Sequence, residues 1–289
     1  MVENIIKRRS VSAIKSTALD LLRRYRVRPN HRQGQNFLID DSVYEDIIRA
    51  AKLSPEDVVL EIGAGLGTLT ERLSPLVKRV MAVELDHRLA AILRHRLSPF
   101  HNIEIIEKNI LAVSVSDLGL NQPYKVVANI PYNITGAIFK KFLMQDLQPV
   151  AMTVLVQREV GERIVAKSGK MSLLALSIQL YATPVLIRHV LASSFYPTPE
   201  VDSVILNVLN IHSFPFSDVD EKFFWRVARV GFSSRRKQLH NNLSASLNIP
   251  AIAASNALKE AELSPAVRAE NLAVVDWHNL AQALRPLLT

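Results

Sequence analysis

The residues best suited to chemistry are Asn129-Ile130-Pro131-Tyr132, directly after the apolar run Val126-Val127-Ala128. Tyr132 offers a flat ring and Asn129 a side-chain carbonyl. Pro131 fixes one φ angle and removes a backbone donor. At the end of a strand, such a loop can hold a flat, amino-bearing base by its edge and its face. It contains no nucleophile, no good general base and no metal ligand. It suits a reaction in which the protein positions groups and a cofactor supplies the reactive atom.

A second constellation lies upstream. Val58-Val59-Leu60-Glu61-Ile62 reads as a buried strand, Gly63-Ala64-Gly65-Leu66-Gly67 follows, and residues 68–73 read as helix. Glycines let the backbone approach a ligand closely, and the helix N-terminus favours electronegative groups. Glu61 stands two residues before the first glycine. Glu84 follows the next apolar run, Val80-Met81-Ala82-Val83, and an acid at the end of a second strand can accept hydrogen bonds from both ribose hydroxyls. A carboxylate there also disfavours a 2′-phosphate, and so NADP. The competing role for Glu84 is to cap the helix that starts near Asp86.

The elements that must position these groups follow from periodicity. Helices are expected over 16–25, 42–51, 157–166 and 171–181. Strands are expected over 103–107, 126–128 and 151–156, with a late antiparallel pair over 184–191 and 204–209. The third strand ends at Lys108-Asn109, near the base of a bound nucleoside. Alternating strands and helices predict an α/β fold with a doubly wound, mainly parallel sheet and its ligand site at the strands' C-terminal ends. Between the late strands, residues 195–203 carry two prolines that keep the segment extended. Two roles fit Phe195 there, an aromatic ring stacked on a base or a filler of the core beneath the loop, and spacing does not separate them. After the linker 212–220 only helical spacing continues. The expected division is a basic arm over 1–30, a catalytic domain over 31–211 and a small all-helical domain over 212–289.

Composition narrows the function. The 289 residues carry a net charge of +8 and no cysteine, which removes disulfides, zinc–thiolate sites and cysteine nucleophiles. No apolar run approaches the roughly 20 residues of a membrane span, and the N-terminus lacks a secretory apolar core; a cytoplasmic protein is expected. Nearly all of the net charge sits in residues 1–32, where Lys7, Arg8, Arg9, Lys15, Arg23, Arg24, Arg26, Arg28 and Arg32 face only Glu3 and Asp20. A basic arm on a near-neutral body points to a polyanion such as RNA, the rival reading being an Arg-rich presequence. Basic positions recur at Arg226, Arg229, Arg235, Arg236, Lys237 and His240.

Taken together, Gln35-Asn36-Phe37-Leu38, the 61–67 turn, Val83-Glu84-Leu85-Asp86, Asn129 to Tyr132 and the 195–203 loop resemble one family, the ribosomal RNA adenine N6-dimethyltransferases. The resemblance covers roughly residues 30–285. Ser234 to Leu239 and Arg268 to Leu272 look like the branch that modifies two adjacent adenosines near the 3′ end of small-subunit (16S) rRNA. It implies a Rossmann-like methyltransferase domain, S-adenosyl-L-methionine as cofactor with S-adenosylhomocysteine as product, no metal, no membrane, 16S rRNA as partner and a monomer. It further implies that Gln35, Asn36, Leu38, Gly63, Gly65, Glu84, Leu85, Asn109, Ile110 and Asn129 hold the cofactor. By the same resemblance Asn129, Pro131, Tyr132 and Phe195 serve the target adenine, Phe195 and Tyr132 sandwiching it. One departure matters: the family usually has Asp where this chain has Asn109, whose side-chain carbonyl can still accept from an exocyclic amine but carries no charge, which implies somewhat weaker cofactor affinity. Rival functions are a large-subunit (antibiotic-resistance) rRNA methyltransferase, a DNA or small-molecule methyltransferase on the same fold, and a non-catalytic RNA-binding assembly factor. A dehydrogenase fails for want of a catalytic His, Lys or Tyr near the glycine turn.

Overall fold

A computed structural model describes residues 11–30 and 34–288; Lys7, Arg8, Arg9 and Arg32 of the basic arm lie outside the described residues. The elements are α1 (Val11–Arg24), β1 (Phe37–Leu38), α2 (Asp41–Ala51), β2 (Val58–Ile62), α3 (Thr68–Leu73), β3 (Arg79–Glu84), α4 (His87–Arg96), β4 (Ile103–Glu107) and β5 (Lys125–Asn129). They continue with α5 (Thr135–Leu143), β6 (Ala151–Gln157), α6 (Arg158–Ile164), α7 (Leu173–Gln179), β7 (Thr183–Val190), β8 (Phe195–Tyr196) and β9 (Ser203–Leu209). Helices α8 (Glu221–Gly231), α9 (Leu239–Leu247), α10 (Ala251–Glu260) and α11 (Val274–Leu284) complete the chain. The chain forms two compact units. One runs to Gly161 and includes Val185–Ile211; the other combines Glu162–Pro184 with the residues from His212 onward.

In the first unit seven strands form one sheet in the order β4-β3-β2-β5-β6-β9-β7. Strands β4, β3, β2, β5 and β6 are mutually parallel, and β9 runs antiparallel to β6. The two late strands are neighbours, with β9 inserted between β6 and β7. β2 is buried along its whole length and β5 and β6 along their centres, which explains their near-continuous Val/Leu/Ile runs. Strand β4 forms the edge, and its alternating Ile and Glu leave it partly exposed. Strand order reverses between β2 and β5, the position at which doubly wound sheets open a crevice.

Two smaller devices shape that crevice. Strand β1 pairs antiparallel with β8, Phe37 opposite Tyr196 and Leu38 opposite Phe195. The Asp40 carboxylate caps α2 through the Ser42 N–H and also accepts from the Ser194 hydroxyl at 3.0 Å. Helix α1 is not free along its length: Ala18, Leu21 and Leu22 pack with Phe37, Ile39, Leu66 and Leu89.

The second unit is helical. Trp277 is fully buried, and a Cβ on Gly231 would stand 2.3 Å from its ring. The indole N–H of Trp225 donates to the Tyr181 hydroxyl at 2.9 Å. Gly169 and Met171 donate backbone N–H groups to the Glu270 carbonyl, and Ser168 bonds the Asn271 carbonyl. The 268–272 stretch therefore anchors a segment about a hundred residues earlier. Lys222, Arg226, Arg229, Arg235, Arg236 and Lys237 are exposed, while His240 is half-buried and its Nδ1 lies 2.9 Å from the Pro265 carbonyl. No helix among the described residues is long and apolar enough to cross a membrane.

Gly67 begins α3 with φ +75°, and a Cβ there would fall 2.5 Å from Leu93 Cδ2 and 3.0 Å from Leu97 Cδ1. Positive φ and overpacking act together, so Gly67→Ala is expected to cost about 1–3 kcal/mol, read as a lower urea midpoint at unchanged slope.

Candidate functional site

The C-terminal ends of β2, β3, β4 and β5 open onto one cleft, closed on its other side by residues 34–38. Gly63, Gly65 and Gly67 all adopt positive φ, which turns the backbone sharply from β2 into α3. A Cβ on Gly65 would touch the Phe37 ring at 3.4 Å, and one on Gly63 would lie 3.6 Å from Pro131. The turn is thus pressed between the N-terminal segment and the 129–132 loop.

Glu84 does not cap a helix. Asp86 caps α4 by accepting the Arg88 N–H at 2.9 Å. The Glu84 carboxylate instead accepts three backbone N–H groups, from Gly65 (2.8 Å), Leu85 (2.8 Å) and Asp86 (2.9 Å). Burial raises its pKa, and those three donors oppose the rise. Glu61 lies deeper, with 2% of its surface exposed, and its Oε2 has no hydrogen-bond partner among the described residues. Burial, reinforced by the Glu84 charge, pushes its pKa up to about 8. The hydroxyl of Thr68, also on the cleft wall, is likewise buried without a partner among them.

At the end of β5 the Asn129 Nδ2 donates to the Asn36 carbonyl at 3.3 Å. That bond fixes the amide, so its carbonyl is the arm left to face a substrate. Tyr132 is half-buried, and its hydroxyl lies 2.8 Å from Ser203 Oγ. Burial raises the Tyr132 pKa, so the ring stays neutral. Gln35 reaches Asp86 with its Nε2 at 3.2 Å. Asn109 accepts the Leu111 N–H on its Oδ1 at 3.0 Å.

Gln35, Asn36, Leu38, Gly63, Gly65, Glu84, Leu85, Asn109, Ile110, Asn129, Pro131 and Tyr132 all line this cleft. Phe195 does not. It is 1% exposed and packs with Leu38, Tyr44, Leu155 and Ile205 in the core; of the two roles left open by spacing this arrangement shows the core filler, and the stacking role implied by the resemblance is not available in it. Its place opposite Leu38 turns its ring inward, and the neighbouring Tyr196 is the exposed aromatic at 45%. Sequence reasoning missed Tyr44 and Thr68 as wall residues. The signal was weak: Tyr44 carries an ordinary amphipathic helix position, and its hydroxyl is consumed by the Leu38 carbonyl at 2.9 Å.

The donors and acceptors present fit S-adenosylmethionine. A carboxylate stands at the second strand's end, a glycine turn lies beneath, and an orphaned buried carboxyl oxygen and hydroxyl can receive donor-rich groups. Among the described residues no cluster of three or more His, Asp or Glu side chains could hold a metal ion.

The family model described as ribosomal RNA adenine dimethylase matches residues 27–285. A protein of Dehalococcoides mccartyi named ribosomal RNA small subunit methyltransferase A is 40% identical over 272 residues, 94% of each chain. A Clostridium botulinum protein of the same name is 36% identical, covering 93% of this chain and 98% of that one. Among solved structures, a dimethyladenosine transferase from Plasmodium falciparum superposes with TM-score 0.73 at 25% identity, covering 86% of this chain and 98% of the other. The 23S rRNA methyltransferase ErmE superposes with TM-score 0.69 at 25% identity, covering 86% and 99%.

A carboxyl whose native pKa exceeds its ordinary value of 4.5 stabilises the fold while protonated. That contribution is complete below pH 4.5 and is lost as pH rises through about 8. Glu61→Gln, neutral throughout, is expected to melt progressively higher than the parent as pH rises from 5 to 9. A melting-temperature gap that stays constant with pH would refute the assignment.

Proposed function

Because this chain belongs to the ribosomal RNA adenine dimethylase family, we propose that it transfers methyl groups from S-adenosylmethionine to the N6 atoms of two adjacent adenosines near the 3′ end of small-subunit (16S) rRNA, during small-subunit assembly in the cytoplasm. The observation that carries the reading is the fixed Asn129 amide. Its Nδ2 is engaged by Asn36, so its Oδ1 remains the acceptor beside the strand end. Relatives named for the small subunit match over more than nine-tenths of the chain, which favours that subunit over the large one.

Bound S-adenosylmethionine supplies a methyl group on an activated sulfonium. Glu84 would hold the ribose through its hydroxyl groups, Gly63 and Gly65 would leave room for the methionine part, and Glu61 and Thr68 would offer polar groups to it. The target adenine leaves its stack, at a cost of a few kcal/mol, and Tyr132 offers a face against which part of that cost is recovered. Asn129 Oδ1 and a backbone carbonyl at Ile130 or Pro131 accept the N6 hydrogens. Those acceptors favour a pyramidal nitrogen and stabilise the positive charge that develops on it. Fixed orientation supplies several kcal/mol to such a step, and aimed dipoles supply roughly as much. No side chain needs to change its charge. The exposed basic residues of the second unit offer contacts to RNA phosphates, whose number sets the salt dependence of binding.

Asn129→Ala is expected to lower methyl transfer by about 100-fold or more while binding S-adenosylhomocysteine within about threefold of the parent. Near-normal turnover would remove Asn129 from its role. Mass spectrometry of small-subunit rRNA from cells with and without the protein should show N6,N6-dimethyladenosine only in the former; its presence in both would overturn the reading.

A further inference from the structure

Asn109 stands two residues beyond β4, exposed, on the wall of the same cleft. A nucleoside held through its ribose at Glu84 can extend along the strand ends in two directions. The 129–132 loop, beyond β2, is where the transferring group must meet its acceptor. The base therefore lies on the other side, over the end of β4. The register supports this: Glu84 is opposite Glu107, and the Lys108 N–H bonds the Glu84 carbonyl at 3.1 Å. Leu85, 59% exposed, and Ile110, 5% exposed, line the same cleft.

The turn after β4 decides what Asn109 shows to the base edge. Its Oδ1 accepts the Leu111 N–H at 3.0 Å, and its own carbonyl accepts the Ala112 N–H at 2.9 Å. With the amide oxygen turned toward the Leu111 N–H, the arm pointing away from the turn is Nδ2, which can only donate. The 6-amino group of adenine is also a donor. An aspartate in the same turn would keep one oxygen on Leu111 and turn a second acceptor outward. Asn109 turns outward a donor.

We propose that Asn109 sets the base selectivity of the cofactor site: it presents an N–H group to the purine edge, so the site tolerates a 6-oxo purine nearly as well as a 6-amino purine. This rests on the cofactor reading above. Two donors facing each other gain no hydrogen bond, whereas a 6-oxo group accepts one.

Calorimetric titration of S-adenosylhomocysteine and its 6-oxo counterpart, S-inosylhomocysteine, into the full-length protein tests it without any catalytic step. The parent is expected to bind the two within about threefold of each other. Asn109→Asp, an isosteric change in an exposed turn, should bind S-adenosylhomocysteine about five- to tenfold tighter. The same variant should prefer it over the 6-oxo ligand by at least about tenfold, roughly 1.4 kcal/mol. A parent that already prefers the 6-amino ligand tenfold, or a preference that Asn109→Asp leaves unchanged, would overturn the proposal. If the parent binds neither ligand, the cofactor reading falls and the proposal with it.

Discussion

One hydrogen bond, from the Asn129 amide nitrogen to the Asn36 carbonyl, fixes which arm of that amide is left for the cleft. Asparagine has two arms of similar size and opposite polarity, and nothing in the side chain itself chooses between them. A backbone oxygen from the N-terminal segment makes that choice. It also ties the end of β5 to the strand that walls the cleft, so the geometry of the acceptor and the closure of the site are one structural fact. The same logic, with opposite outcome, operates at Asn109, where a backbone N–H takes the oxygen.

The electrostatics of the cleft are built from backbone and burial. Glu84 is held by three amides and Glu61 by none that reach its Oε2. Two carboxyl groups at neighbouring strand ends in low dielectric cannot both be charged without cost; Glu84 has three backbone N–H donors, while Glu61 is helped only by Thr70 and keeps one oxygen without a partner among the described residues. Glu84 keeps its backbone cage, while burial and the neighbouring Glu84 charge push the Glu61 pKa up to about 8.

Most of this framework was legible in the sequence, for a physical reason. Strands buried on both faces write themselves as unbroken apolar runs, and the polar residue that ends each run marks the sheet's C-terminal edge. Glu84 and Asn129 were readable in that way. Phe195 was not: its direction depends on pairing with Leu38, and shifting a strand by one residue reverses every side chain. The fate of the Asn109 amide depended on a turn two residues long, invisible to periodicity. The grouping of Glu162–Pro184 with the helical unit rests in part on backbone carbonyls at Glu270 and Asn271, which leave no trace in side-chain pattern.

The pairing of β1 with β8 also constrains how the molecule comes into being. The wall formed by residues 36–38 is held by Phe195 and Tyr196, and the Ile39 N–H by the Ser194 carbonyl at 2.8 Å. Asn207 fastens the end of α2 through the Ala50 carbonyl at 2.9 Å. These partners lie more than 150 residues apart, so loops of that size must close before the contacts repay the entropy. A nascent chain leaving the ribosome carries every glycine and carboxylate of the site long before it carries the strand that holds their wall in place. The contacts that fix this wall can form only once translation has passed about two-thirds of the message.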